Sequence, residues 1–81
     1  MNLADCDPGT TVRIRDVAVD AVVRTRMREL GLREHVLVRI THRAAFGGRV
    51  VAVGADRFAL DARTCAAIEV GGVDDTRGAT P

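Results

Sequence analysis

Apolar residues return at every second position in short runs broken by turn residues, and no other feature of the chain restricts its fold as much. Val12 and Ile14 share one face of an extended segment, with Arg13 and Arg15 on the other. Val36, Val38 and Ile40 alternate in the same way against Leu37, Arg39 and Thr41. A period of two marks strands with one buried and one solvated face. The expected strands cover residues 12–17, 36–43, 49–54, 57–61 and 68–70, with Phe58 and Leu60 as an inward pair. The reversals between them fall where turn chemistry allows: Asp7-Pro8-Gly9-Thr10, the pair Gly47-Gly48, for which positive φ is expected, and Gly54-Ala55-Asp56.

One segment departs from alternation. Val23, Met27 and Leu30 recur at helical spacing while Arg24 and Arg28 lie to another side, which predicts a helix over 21–30 capped by Asp20, with an apolar face of these three residues that packing must bury. Gly31 suits the left-handed residue just past a helix, where a Cβ costs roughly 1–2 kcal/mol, and Leu32 then folds back onto the last turn, towards Met27. Residues 62–67 suit a single helical turn, with Arg63 exposed and Cys65 or Ala66 packed inward. The fold class is therefore mainly β: a small SH3-like, partly open five-stranded barrel, with one helix inserted after the first strand and a short helical turn before the last. A single domain is expected over residues 1–70. Residues 71–81 have almost nothing to bury and read as a disordered tail.

Charge is informative in its distribution. The net charge is +1, but residues 24–49 carry seven arginines against Glu29 and Glu34, a local excess of five. All twelve basic residues are arginine, which fits either planar bidentate contacts or a compositional bias. Such a belt, from Arg24 to Arg49, is either a solvated face or a phosphate-facing one. Barrels that bind nucleic acid add aromatic stacking platforms, and with two Phe and no Trp or Tyr the expectation is no nucleic-acid partner. The same shortage weighs against SH3-type capture of proline-rich peptides. The N-terminus lacks a basic, apolar leader and no segment approaches the ~20 apolar residues of a membrane span, so no signal peptide and no direct membrane insertion are expected.

Catalytic signatures are missing: no phosphate-cradling G-x-x-x-x-G-K-[ST], no H-E-x-x-H and no Ser-His-Asp grouping. Cys6 and Cys65 form no C-x-x-C pair, and the simplest reading is a reduced, cytosolic protein. His35, His42, Cys6 and Cys65 are the possible soft metal ligands. His35 and His42 differ by an odd number, which a regular strand sends to opposite faces, so a site would need a bulge or a second chain. No catalytic residue, cofactor or metal ligand is assigned.

Taken in order, Leu3-Ala4, Pro8 to Val12, Leu30-Gly31-Leu32, Val36 to Ile40, Phe46-Gly47-Gly48 and the ending from Ala59-Leu60 to Ala66-Ala67-Ile68-Glu69-Val70 resemble the FeoA family over about residues 3–70. Members usually carry Pro-Gly where this chain has Glu34-His35, and often a proline at the position of Ala45. The resemblance implies an SH3-like domain, related to the C-terminal domain of DtxR-type repressors. It also implies a cytoplasmic accessory of ferrous iron uptake that contacts the FeoB-type membrane transporter and is not an enzyme. With no helix-turn-helix segment ahead of the barrel in this sequence, a transport accessory is expected rather than a repressor. The alternative is a small-barrel nucleic-acid-binding or metal-responsive regulatory domain. Candidate partner-binding residues are Arg24 and Arg28 on the helix, and Ala45 and Phe46 in the loop before the glycine pair, where Phe46 either faces a partner or folds back on the barrel. Met27, Leu30, Gly31, Leu32, Gly47 and Gly48 are read as structural. Unpaired strand edges also allow self-association.

Overall fold

The computed structural model describes residues 1–73. Five strands form one antiparallel sheet: β1 (Thr11–Val17), β2 (Leu37–Arg43), β3 (Arg49–Val53), β4 (Asp56–Leu60) and β5 (Ile68–Gly71), in the order β4-β3-β2-β1-β5. β4 and β5 do not pair, so the sheet curls without closing. Helix α1 (Ala21–Glu29) follows β1, and the short helix α2 (Ala62–Ala67) precedes β5. This is the expected partly open barrel, with both helical segments where the sequence places them. β5 extends one residue further than the pattern suggests: Gly71 is buried and pairs with Arg13, so the expected tail does not begin there. The rest of that tail, from residue 74, lies outside the described residues.

Alternation decides which side chains fill the core. Val12 and Ile14 of β1, Val38 and Ile40 of β2 and Val51 of β3 are buried, and Ile68 and Val70 of β5 join them. Phe58 and Leu60 pack against this cluster while keeping part of their surface in solvent, because β4 is an edge strand. Two bulges interrupt the ladder, after Ile14 and after Ile40. The first inserts Arg15 as an extra residue, and Val17 turns inward at a spacing of three that strict alternation would not allow. At α2 the choice between Cys65 and Ala66 falls to Cys65, which is buried while Ala66 is exposed.

Helix α1 begins and ends as its sequence requires. The Asp20 carboxylate accepts from Val23 N at 2.9 Å. At the other end, Leu32 N donates to Met27 O (2.8 Å) and Gly31 N to Arg28 O (3.0 Å), a Schellman ending with Gly31 at φ 90°. A Cβ on Gly31 would meet Val53 at 3.6 Å, so the glycine is required by conformation and not by space. The apolar face differs from expectation. Met27 and Leu32 are buried, but Leu30 is 43% and Val23 37% exposed. The helix lies along the flank of the barrel, where a span of under three turns brings a single side chain, Met27, fully into the core. Leu30 is therefore a capping-position residue that keeps nearly half of its surface in solvent, not a core residue.

Glu34-His35 forms the turn into β2. His35 takes φ 76°, the conformation that glycine adopts freely, while its N–H bonds Ile14 O (2.7 Å) and its carbonyl accepts from Arg13 (2.8 Å). The side chain is exposed, so the strain is offset by backbone contacts that glycine would keep. His35→Gly is expected to raise stability by about 0.5–1 kcal/mol, seen as a melting temperature higher by a few degrees.

Candidate interaction surfaces and family

The loop between β2 and β3 carries the chain's most exposed aromatic. Ala44 N and Gly48 O close it at 2.9 Å, and residues Ala45–Gly47 make one tight turn within it. Phe46 stands at its apex, 99% exposed, with φ 56° and ψ 36°. A phenylalanine gains no burial there, and the left-handed backbone costs it roughly 1–2 kcal/mol. Folding back onto the barrel, the other course open to Phe46, does not occur. Ala45 beside it is also exposed.

The glycine pair divides its work. Gly47 has φ 83°, as expected, but Gly48 has φ −73°, which any residue adopts. Gly48 is needed for space: a Cβ there would lie 2.5 Å from the backbone oxygen of Leu60. Phe46, not Gly48, supplies the second left-handed residue of the reversal.

Below this loop lies Arg49, which the charge count places in a surface belt. It is 7% exposed. Nε donates to Cys6 O (2.9 Å), Nη1 to Gly47 O and Gly48 O (2.9 Å each) and Nη2 to Ala4 O (2.8 Å). One guanidinium thus ties the N-terminal segment to the Phe46 loop through four carbonyls.

The remaining arginines do not form one belt either. Arg43 pairs with Asp7 at 2.8 Å. On α1, Arg24 donates through Nη2 to Val17 O (2.8 Å), which commits part of its guanidinium to holding the helix on β1. Arg28 is exposed and meets Glu34 at 3.5 Å, a long contact that leaves it open to a partner. That arginine, together with the backbone, holds the Glu34 carboxyl below its usual range, the backbone hydrogen bond being the larger cause. The helix and loop candidates are not brought together: Gly31, at the end of α1, lies against Val53 at one end of β3, whereas the Phe46 loop joins the other end at Arg49.

Among the described residues, no three His, Cys, Asp or Glu side chains gather as a metal site. A bulge does occur in β2 beside His42, but His35 lies in the turn before that strand and both imidazoles are exposed. Cys6 and Cys65 are free and buried, and burial pushes both thiols up from their ordinary pKa. Since the thiolate is the reactive form, both should be poor nucleophiles in the folded chain. A thiol-specific reagent at neutral pH is expected to label them at least a hundredfold more slowly in the native protein than in denaturant.

A short, unclosed SH3-like barrel offering an aromatic loop, an arginine-bearing helix and an open sheet face defines a small β domain built around its surfaces. Residues 1–71 match the FeoA domain, and the chain belongs to the FeoA family, which is linked to ferrous iron transport. Among solved structures it is similar to Stenotrophomonas maltophilia FeoA in complex with zinc, at 32% identity over 88% of this chain and 89% of that one (TM-score 0.72). That protein is described as a prokaryotic SH3-domain protein and a candidate activating factor for ferrous iron transport. Similarity to iron(II) transport protein A from Clostridium thermocellum is 26% over 90% of this chain, with a TM-score of 0.81; this chain spans 46% of that protein. A manganese-dependent transcriptional repressor shares the fold at 20% identity over 90% of this chain and 41% of its own (TM-score 0.80). No curated protein matches the chain. No helix among the described residues is long and apolar enough to cross a membrane.

Proposed function

We propose that this chain is a cytoplasmic, non-enzymatic accessory of ferrous iron uptake that acts by contacting the cytosolic part of a FeoB-type transporter, with Phe46 at the centre of the contact. Membership of the FeoA family supports the transport role. The observation that carries the contact is Phe46 itself: a fully exposed aromatic in a left-handed conformation, anchored from below by Arg49. A strained, exposed, well-supported residue of this kind is explained by what it meets, not by what it does for the fold. Arg28, and the part of Arg24 not committed to Val17, offer a second and weaker surface on α1.

The test separates fold from contact. Phe46→Gly removes the ring and relieves the backbone, so its melting temperature is expected to equal or exceed that of the parent chain. Capture of the transporter's cytosolic part is expected to fall at least tenfold. Arg28→Ala should leave folding unchanged and weaken capture by no more than a few-fold. Capture undiminished in Phe46→Gly would overturn the assignment of this loop.

A further inference from the structure

We propose that the outer face of the sheet, at the end away from Phe46, docks an acidic extended segment of a partner protein through Arg39 and Arg57. Strand register places Thr11, Arg39, Ala52 and Arg57 in one row across β1, β2, β3 and β4. A groove of about 630 Å³ opens over this row, floored by Ala52 and Thr11, with Gly9 and Gly54 at its margins. Arg39 and Arg57 are both exposed, and neither makes a hydrogen bond or ion pair with any of the described residues. Asp56, next to Arg57 in the chain, belongs to the opposite face by strand alternation, and Asp7 is occupied by Arg43. Two positive groups thus share one face, and no carboxylate among the described residues pairs with either.

The geometry selects the ligand. Arg39 and Arg57 stand two strands apart, about 10 Å between backbones at the usual strand spacing. Acidic side chains two residues apart in an extended peptide lie about 7 Å from one another on one side, a separation that two long arginine stems can close. Small side chains on the floor let a backbone approach, and Leu37, 42% exposed at the groove's edge, adds apolar area. No aromatic ring lines the groove, so nucleobases would find no stacking platform, which favours a carboxylate-bearing peptide over RNA. This surface lies at the opposite end of the β2–β3 hairpin from the Phe46 loop, and its assignment stands independently of the transporter contact.

A fluorescently labelled peptide of alternating Glu and Ser, titrated with the intact chain and followed by anisotropy, tests the proposal. Saturable binding is expected, weakening several-fold between about 50 and 300 mM salt. Arg39→Ala and Arg57→Ala should each weaken it about threefold, and the double variant about tenfold, with melting temperatures unchanged because both side chains are exposed. A counterpart with Gln in place of Glu should bind at least tenfold more weakly. Any of four results would overturn the assignment: no saturation below about 1 mM, equal binding of the Gln peptide, equal binding by the double variant, or a single-stranded oligouridylate binding tenfold tighter than the Glu peptide at the same salt.

Discussion

Arg49→Met is expected to lower stability by about 3 kcal/mol or more, enough to shift the melting temperature down by 12 °C or more in a domain of this size. Methionine reaches as far as the Nε position, so the substitution keeps the apolar stem and removes the guanidinium carbon and both terminal nitrogens, the atoms that make three of the four hydrogen bonds. Four carbonyls, of Ala4, Cys6, Gly47 and Gly48, would lose a charged donor in a region where the arginine is 7% exposed. Replacing a buried ion pair with apolar side chains is often neutral, because both desolvation costs vanish together. Here no described carboxylate pairs with the guanidinium, and the carbonyls of Ala4, Cys6 and Gly47 lose this donor in buried or partly buried surroundings, while Gly48 O keeps its bond from Ala44 N. Arg49→Lys should recover little, since one ammonium cannot address carbonyls on both the N-terminal segment and the loop. The damage is also expected to have a location: amides around Leu3 to Cys6 and Ala44 to Gly48 should lose hydrogen-exchange protection before the β1–β2 ladder does. A melting temperature within about 3 °C of the parent chain would contradict this account.

The sheet was legible in the sequence because its cause is local. Alternation in β1 and β2 can be read without knowing their neighbours, and the Schellman ending at Gly31-Leu32 is written in consecutive residues. Arg49 was not legible in this way. It precedes the continuous apolar run Val50-Val51-Ala52-Val53, which has no period and so assigns no face. The missing signal sits on the next strand: Arg49 pairs with Leu60 and Val51 with Phe58, so the inward pair on β4 places Arg49 inward too. The exposure of Leu30 is hidden from the sequence for a related reason. Helical spacing gives a face, but how much of that face is covered depends on where the short helix rests on the barrel. The sequence leaves two courses open to Phe46 because exposure of a loop tip is set by the turn's backbone, and here that backbone is held by Arg49 from beneath.

Gly48→Ala is the second large effect expected, and it distinguishes two reasons for a glycine. If the pair Gly47-Gly48 served conformation alone, Gly47→Ala would be the costly change, since Gly47 has φ 83° and Gly48 has φ −73°. The packing argues the reverse. At Gly47 a Cβ meets Ala62 at 3.4 Å, an ordinary contact, leaving roughly 1–2 kcal/mol of left-handed strain. At Gly48 the Cβ falls 2.5 Å from the Leu60 carbonyl oxygen, with Ala44 Cβ at 3.3 Å and Ala45 O at 3.4 Å on other sides. The nearest obstruction is backbone, so no side chain can swing away. Relief requires the loop to lift, and lifting moves the Gly48 carbonyl off Ala44 N and Arg49 Nη1 together. Overpacking of this kind costs about 2–3 kcal/mol, and the lost contacts add to it. Gly48→Ala should therefore melt below Gly47→Ala by about 5 °C or more and should weaken transporter capture as well, because the displaced segment carries Phe46. Equal melting of the two variants would mean that conformation alone requires the pair, and the loop's support from beneath would then need another explanation.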